Sequence, residues 1–320
     1  MKGRFVRNVA AFGLACCAFA LSAAPGGATP APQLLAAYQP VLKLHPAEAF
    51  EPTKVQSFIS DSDLEQLTGG TWTVVDSDPE PGDLPDSGAW RLNQDTCSPA
   101  TALGGLACYA AAGATGSGGP AVYGRVVSDG DRIVLQYWYF YYDDVYSYPF
   151  APAGAFWQAH EGDWEVVNVV LSEDQEPLFV GYSQHCLGQR RAWSGVDRAD
   201  GTHPIVYVAL GSHANYFTPG LHQFNAACVP AQVTAILTAF HLPPPADVVS
   251  GDGPVVAGTI HQIEAGHPAW MSFPGFWGEL QYFHAPAPIG TVPFGTAPQG
   301  PAFHDVWTDP LATLAGWPGG

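Results

Sequence analysis

The sequence predicts a mostly β fold, a β-sandwich with long loops and one or two short helices. Three observations lead there. Runs of β-branched and aromatic residues dominate from Thr71 onward. Several of these runs are apolar on both faces and therefore need cover from both sides. The stretches between them are rich in Pro and Gly, of which the chain has 30 and 36, so long helices have little room.

The elements follow in chain order. Lys2, Arg4 and Arg7 precede an apolar stretch and then a small-residue stretch ending at Ala28, the layout of a secretory signal. Residues 1–28 are read as that leader, with cleavage between positions 23 and 28. Leu14-Ala15-Cys16 also admits a lipid anchor, but the apolar stretch before Cys16 is short, which favours simple export. Residues 29–320 are read as one domain. Ser62 with Glu65 has the spacing of a capping box and predicts a short helix. Strands are expected over 71–76, 121–127, 132–142, 163–171, 178–184, 204–210 and 254–260. A short amphipathic helix is expected over 231–240, stopped by Pro243-Pro244-Pro245. Segments 76–87, 111–120 and 285–301 read as loops. Strands 132–142 and 163–171 are too apolar to lie at an open edge, so both are expected to be central. In the first of these, residues 137–142 (YWYFYY) read as core, with a sugar-stacking platform as the alternative.

Charge and cysteines limit the function classes. The whole chain carries −18, and removing the leader takes three Lys+Arg and no acid, leaving −21. Such a surface repels DNA, RNA and anionic lipid, so nucleic acid is not an expected partner. After the leader no apolar run is long enough to cross a membrane as a helix. Cys97, Cys108, Cys186 and Cys228 remain, and in an exported protein an even count reads as two disulfides. Three pairings are possible; Cys97 with Cys108 closes the obvious local loop and leaves Cys186 with Cys228. None has CxxC spacing, and the chain has no GxSxG, no Gly-rich phosphate loop and no HExxH.

The strongest local signal is His160-Glu161-Gly162-Asp163-Trp164-Glu165, running directly into VVNVVL. Strand alternation puts Asp163 and Glu165 on one face, with Cα atoms roughly 6.5–7 Å apart. Gly162 permits a bend that returns His160 over the same carboxylates. Two carboxylates held that close repel unless one is protonated or a cation sits between them. Oxygen donors with one or two imidazoles suit Mg²⁺, Ca²⁺ or Mn²⁺. The competing reading is a hydrogen-bonded network at a strand start. His185 and His213 both end apolar runs and are added to the candidate metal set of His160, Asp163 and Glu165.

Further motifs occur in a fixed order: Leu44-His45-Pro46-x-Glu48-x-Phe50, LQYWYFYYDD, HEGDWE, GYSQH, HPIVYVALGSHANYF and FPGFWGE. As an ordered set they resemble the family named after vacuolar protein sorting-associated protein 62, across residues 41–307. That resemblance implies fold and motif but no biochemical activity. The His-x-x-Asp-Trp-Glu motif is also similar to that of the necrosis- and ethylene-inducing-like secreted proteins. This second resemblance implies a divalent-cation site at His160, Asp163 and Glu165 on a β-sandwich, used there to bind sphingolipid sugar head groups and damage membranes.

Two functions fit these residues. One is an exported module that uses a divalent cation to grip hydroxyls of an extracellular glycan or lipid head group. The other is a metal-dependent hydrolase of a glycosidic or phosphodiester bond, with Glu161, Glu165 or His213 as base. A purely structural extracellular protein is the third reading if no cation binds.

Overall fold

The computed structural model describes residues 29–115 and 119–319; the expected leader lies outside the described residues. The fold is mostly β, as expected. Its largest sheet has eight strands: β1 (Ala121–Asp129), β2 (Arg132–Ser147), β3 (Trp157–Ser172), β4 (Pro177–Gln184), β5 (Leu187–Ala192), β6 (Thr259–Gln262), β7 (Leu280–Ala285) and β8 (Gly290–Thr296). The order β6-β1-β2-β3-β7-β8 puts β2 and β3 in the middle, as their two-sided apolar character requires. Tyr137 to Tyr142 are each at most 1% exposed, so this aromatic run is core and not a sugar platform.

How β3 pairs along its length positions the site. One edge follows β2 from Trp157 to Ser172. The other edge is shared by two strands. β7 pairs with Trp157 to Ala159, and β4 pairs with Val167 to Leu171. Between them, among the described residues, 160–166 have a strand neighbour on the β2 side alone. The sheet divides there, and the HEGDWE motif occupies the division.

Among the described residues, three smaller sheets accompany this one. In one, His203–Val208 runs parallel to Val41–Lys43, which brings the LHPxExF and GSHANYF motifs together. In another, Phe276–Trp277 joins Trp90–Gln94. A single apolar cluster runs from Leu34 to Trp317 and includes both faces of β2. Both expected disulfides are formed, Cys97 with Cys108 and Cys186 with Cys228. Among the described residues no helix is long and apolar enough to cross a membrane.

Several local expectations fail. Ser62 and Glu65 lie in the strand Ser62–Thr68, not in a helix. Ser62 Oγ donates to the Phe58 carbonyl, and Glu65 is buried in an ion pair with Arg91, so neither side chain caps anything. Segment 111–120 is not all loop, because the helix Ala102–Thr115 runs into it. Alanine is the best helix former, and here it outweighs the glycines. Segment 285–301 contains β8, whose Pro293 is tolerated because this strand ends the sheet. The expected strand 254–260 is two short strands, Val255–Val256 and Thr259–Gln262, in different sheets. The helix Ala231–Ala239 forms as expected.

Candidate metal centre

Gly162 makes the site possible. Its φ of +54° departs from strand geometry, and a Cβ there would lie 2.3 Å from the carbonyl oxygen of Trp277. Glycine is therefore required both by the backbone and by the close approach of the FPGFWGE segment. The twist interrupts alternation. Asp163 faces the division in the sheet, Glu161 turns away from it, and His160 faces it again. Directly across the ladder, Asp144 on β2 is the partner of His160.

Asp144, His160 and Asp163 thus converge. One ligand atom from each lies within 4.8 Å of the others. His160 Nδ1 is 2.9 Å from the Gly162 carbonyl oxygen, which can only accept. In the neutral ring Nδ1 therefore carries the proton, and Nε2 presents its lone pair, 3.5 Å from Asp144 Oδ2. A backbone carbonyl fixing the far nitrogen in this way is the usual support for a metal-binding histidine. One Asp144 oxygen is committed, Oδ1 accepting from the Tyr146 amide at 3.1 Å. The donors are two carboxylates and an imidazole, which fits a hard divalent cation.

The electrostatics call for a positive charge. Burial pushes the Asp144 carboxyl up to about 7; His160 opposes the rise and Asp163 adds to it. Glu165 is raised well above the carboxylate range, by burial first and by Asp163 second. Among the described residues no Lys or Arg forms an ion pair with Asp144, Asp163 or Glu165. A divalent cation would remove this cost.

The other predicted residues have different places. His213 is fully buried and is not part of the tight group. Its Nδ1 is 2.9 Å from Asp163 Oδ2, its Nε2 is 3.4 Å from Glu48 Oε1, and its ring stacks on Tyr141 at 3.9 Å. Burial opposes a charge on the ring, but Glu48 and Asp163 outweigh it and raise the imidazole well above the ordinary histidine value. Both ring nitrogens of His213 thus face carboxylates, and the ring supports Asp163 on the side away from Asp144 and His160. The Glu48 of LHPxExF is the counter-ion of His213, and Glu48 Oε2 also accepts from the Gly211 amide at 2.8 Å. His185 faces the same cavity, but its Nε2 is 2.8 Å from Asp247 Oδ2. Glu165 also faces the cavity; its Oε2 accepts from Ser183 Oγ, and from Asn215 Nδ2 at 3.2 Å. Glu161 does not join the group. Its carboxylate accepts from Tyr109 at 2.8 Å and from the amides of Glu279 and Gln94 at 3.1 and 3.3 Å.

Sequence reasoning missed Asp144. Its signal was the Asp-Asp pair closing LQYWYFYYDD, although choosing Asp144 over Asp143 needs the register of β2 on β3. The group lines a cavity of about 350 Å³ that also touches Tyr146, Phe156, Trp157, Ser212 and Phe283.

No family model matches the chain. The chain is a distant homologue of two proteins of Saccharomyces cerevisiae. It is 24% identical to vacuolar protein sorting-associated protein 62 over 299 residues, covering 78% of this chain and 60% of that protein. It is 26% identical to the protein named "Putative vacuolar protein sorting-associated protein TDA6" over 176 residues, covering 49% of this chain and 37% of that one. The chain therefore spans less than two thirds of the length of either relative. Among solved structures it is similar to Necrosis and Ethylene inducing Protein 2 from the causal agent of cocoa's witches' broom disease (16% identity, 78% of this chain and 79% of that one, TM-score 0.36). It is also similar to NLPPya in complex with glucosamine (14%, 59% and 68%, TM-score 0.33) and to the non-toxic HaNLP3 protein (15%, 74% and 77%, TM-score 0.34). At such TM-scores the site has to be read from the chain's own residues.

Proposed function

We propose that this is an exported, cation-dependent binding protein. Asp144, His160 and Asp163 hold a divalent cation of the Mg²⁺, Ca²⁺ or Mn²⁺ kind, with Glu165 adjacent as a further oxygen donor. Open positions on the cation grip the hydroxyls of an extracellular glycan or lipid head group. One observation carries this reading: three donor atoms from β2 and β3 within 4.8 Å of one another, bordering a cavity. Export is inferred from the leader-like first 28 residues and from two disulfides, which persist in oxidising compartments.

Binding is favoured over hydrolysis by the state of the three bases a hydrolase would draw on. Glu161 is tied to Tyr109 and two backbone amides. Glu165 is held by Ser183 and Asn215, and His213 is clamped between Glu48 and Asp163. Of the three, only Glu165 borders the cavity, and this reading gives it to the cation as a donor rather than to a water as a base.

Metal analysis of the purified protein, followed by glycan and lipid arrays with and without chelator, tests the reading. A bound divalent ion, and array signals that disappear on chelation, are the expected results. Protein that neither retains nor gains stability from Mg²⁺, Ca²⁺ or Mn²⁺ would sink it.

A further inference from the structure

The cavity at the cation group has two unlike ends. One end is polar and holds Asp144, His160, Asp163, Glu165 and His185. The other is walled by Tyr146, Phe156, Phe224, Val233, Leu237 and Phe283. These six belong to an apolar cluster separate from the main core. The tyrosines there offer no free hydroxyl. Tyr146 Oη donates to the Ala246 carbonyl at 3.1 Å, and Tyr148 Oη donates to the Pro243 carbonyl at 2.6 Å. Val233 and Leu237, one turn apart on the helix Ala231–Ala239, are its two buried residues, while Gln232, Thr234 and Ala235 face solvent. The disulfide from Cys186 to Cys228 ties the approach to this helix to the residue after His185, so the apolar wall is fastened beside the polar end.

A wholly polar glycan would match the first end and not the second. Gln281 and Thr296 also line the cavity, but most hydroxyls placed against the six apolar side chains would give up water without a partner. An alkyl chain has the opposite balance, since each methylene moved from water into an apolar lining raises affinity about fourfold. At about 350 Å³ the cavity is at the small end of the range for small-molecule sites, which suits one chain and not two. A second cavity of about 430 Å³ shares the lining residues Val233, Gln281, Phe283 and Phe294 and borders the exposed Val292.

We propose that the ligand is an amphiphile with a single aliphatic chain, its hydroxylated or anionic head on the cation and its chain in the apolar arm. This rests on the cation-dependent binding proposed above and adds a chain-binding site to it.

The test is calorimetric titration of the full, Ca²⁺-loaded protein with four probes below their micellar concentrations: methyl and octyl β-glucoside, and methyl and octyl phosphate. For at least one head group the octyl compound is expected to bind at least about tenfold more tightly than its methyl partner. Leu237→Trp and Val233→Phe, which fill the arm, should erase that gain, and Thr234→Trp on the solvent face should keep it. Equal affinities within both pairs, or no binding of either octyl compound to cation-loaded protein, overturn the proposal. So does an octyl gain that survives in both filled variants. If those variants do not fold, the wild-type pairs decide alone. Failure of the cation itself to bind overturns the proposed function instead, and an octyl gain that persists in chelator supports the arm while removing the cation from it.

Discussion

Asp143 and Asp144 are adjacent on β2, and Glu161 and His160 are adjacent on β3, yet the two pairs belong to different chemistries. Asp144 and His160 face the division in the sheet, where β7 has left β3 and β4 has not yet joined it. They border a cavity and have Asp163 beside them. Asp143 and Glu161 are cross-strand partners with no exposure at all. Neither oxygen of Asp143 has a hydrogen-bond partner among the described residues, and burial followed by Glu161 pushes its carboxyl well above the usual range. Similar residue types therefore make a candidate cation site where the sheet opens and a buried acid pair where it is closed. Access and a histidine with a free nitrogen separate the two, not acidity.

The largest expected effect comes from removing the twist that separates them. Gly162→Ala places a Cβ 2.3 Å from the Trp277 carbonyl at a φ of +54°. We expect a loss of about 3 kcal/mol or more, measured by chemical denaturation, together with loss of cation binding. A variant of near wild-type stability would mean that the two clusters do not depend on this residue.

Next comes the direct contrast between the clusters. Asp163→Asn should weaken cation affinity about 100-fold, because it removes a charged ligand and the partner of His213. Asp143→Asn should change it less than about twofold, although Asp143 is the sequence neighbour of Asp144. Titration of Mg²⁺, Ca²⁺ and Mn²⁺ followed by calorimetry compares them. Equal losses would merge the two clusters into one site. His213→Gln should fall between, at about tenfold, because Asp163 keeps its place in the ladder but loses that support.

The contrast also marks what could be read from residues alone. β2 and β3 were legible because apolar runs that need cover on both faces have few alternatives. That His160, Asp163 and Glu165 border one cavity was legible because alternation and one glycine constrain where side chains point; the tight group itself takes Asp144 in place of Glu165. Asp144 was not, because its pairing with His160 depends on where the connection between Ser147 and Trp157 sets the register, and no local rule fixes that. His213 was legible as a candidate, but not the two carboxylates that flank its ring. Its counter-ion Glu48 is 165 positions away in sequence, and only the parallel pairing of Val41–Lys43 with His203–Val208 brings them together. The capping-box reading of Ser62 and Glu65 failed for a related reason, since the ion pair with Arg91 exists only across a strand ladder.

The smallest expected effect tests whether the closed cluster is a neutral acid. Burial first, with Glu279 adding to it, pushes the Glu161 carboxyl up to about 8 from its ordinary 4.5, against the hydrogen bonds from Tyr109 and from the Gln94 and Glu279 amides. The folded protein then holds a proton that the unfolded chain releases near pH 4.5. Its contribution to stability is full below that pH and falls as pH rises towards about 8. Asp144 and Glu165 have raised values of the same sign, so wild type alone cannot isolate the effect. Comparing wild type with Glu161→Gln in chelator can. Between pH 5 and 8 the wild-type stability should fall more steeply than that of the variant, by up to about 1.4 kcal/mol per pH unit. Parallel slopes would mean that Glu161 stays ionised, held by its three donors. The closed cluster would then carry a buried negative charge, and the two faces would still differ in access and in the presence of His160.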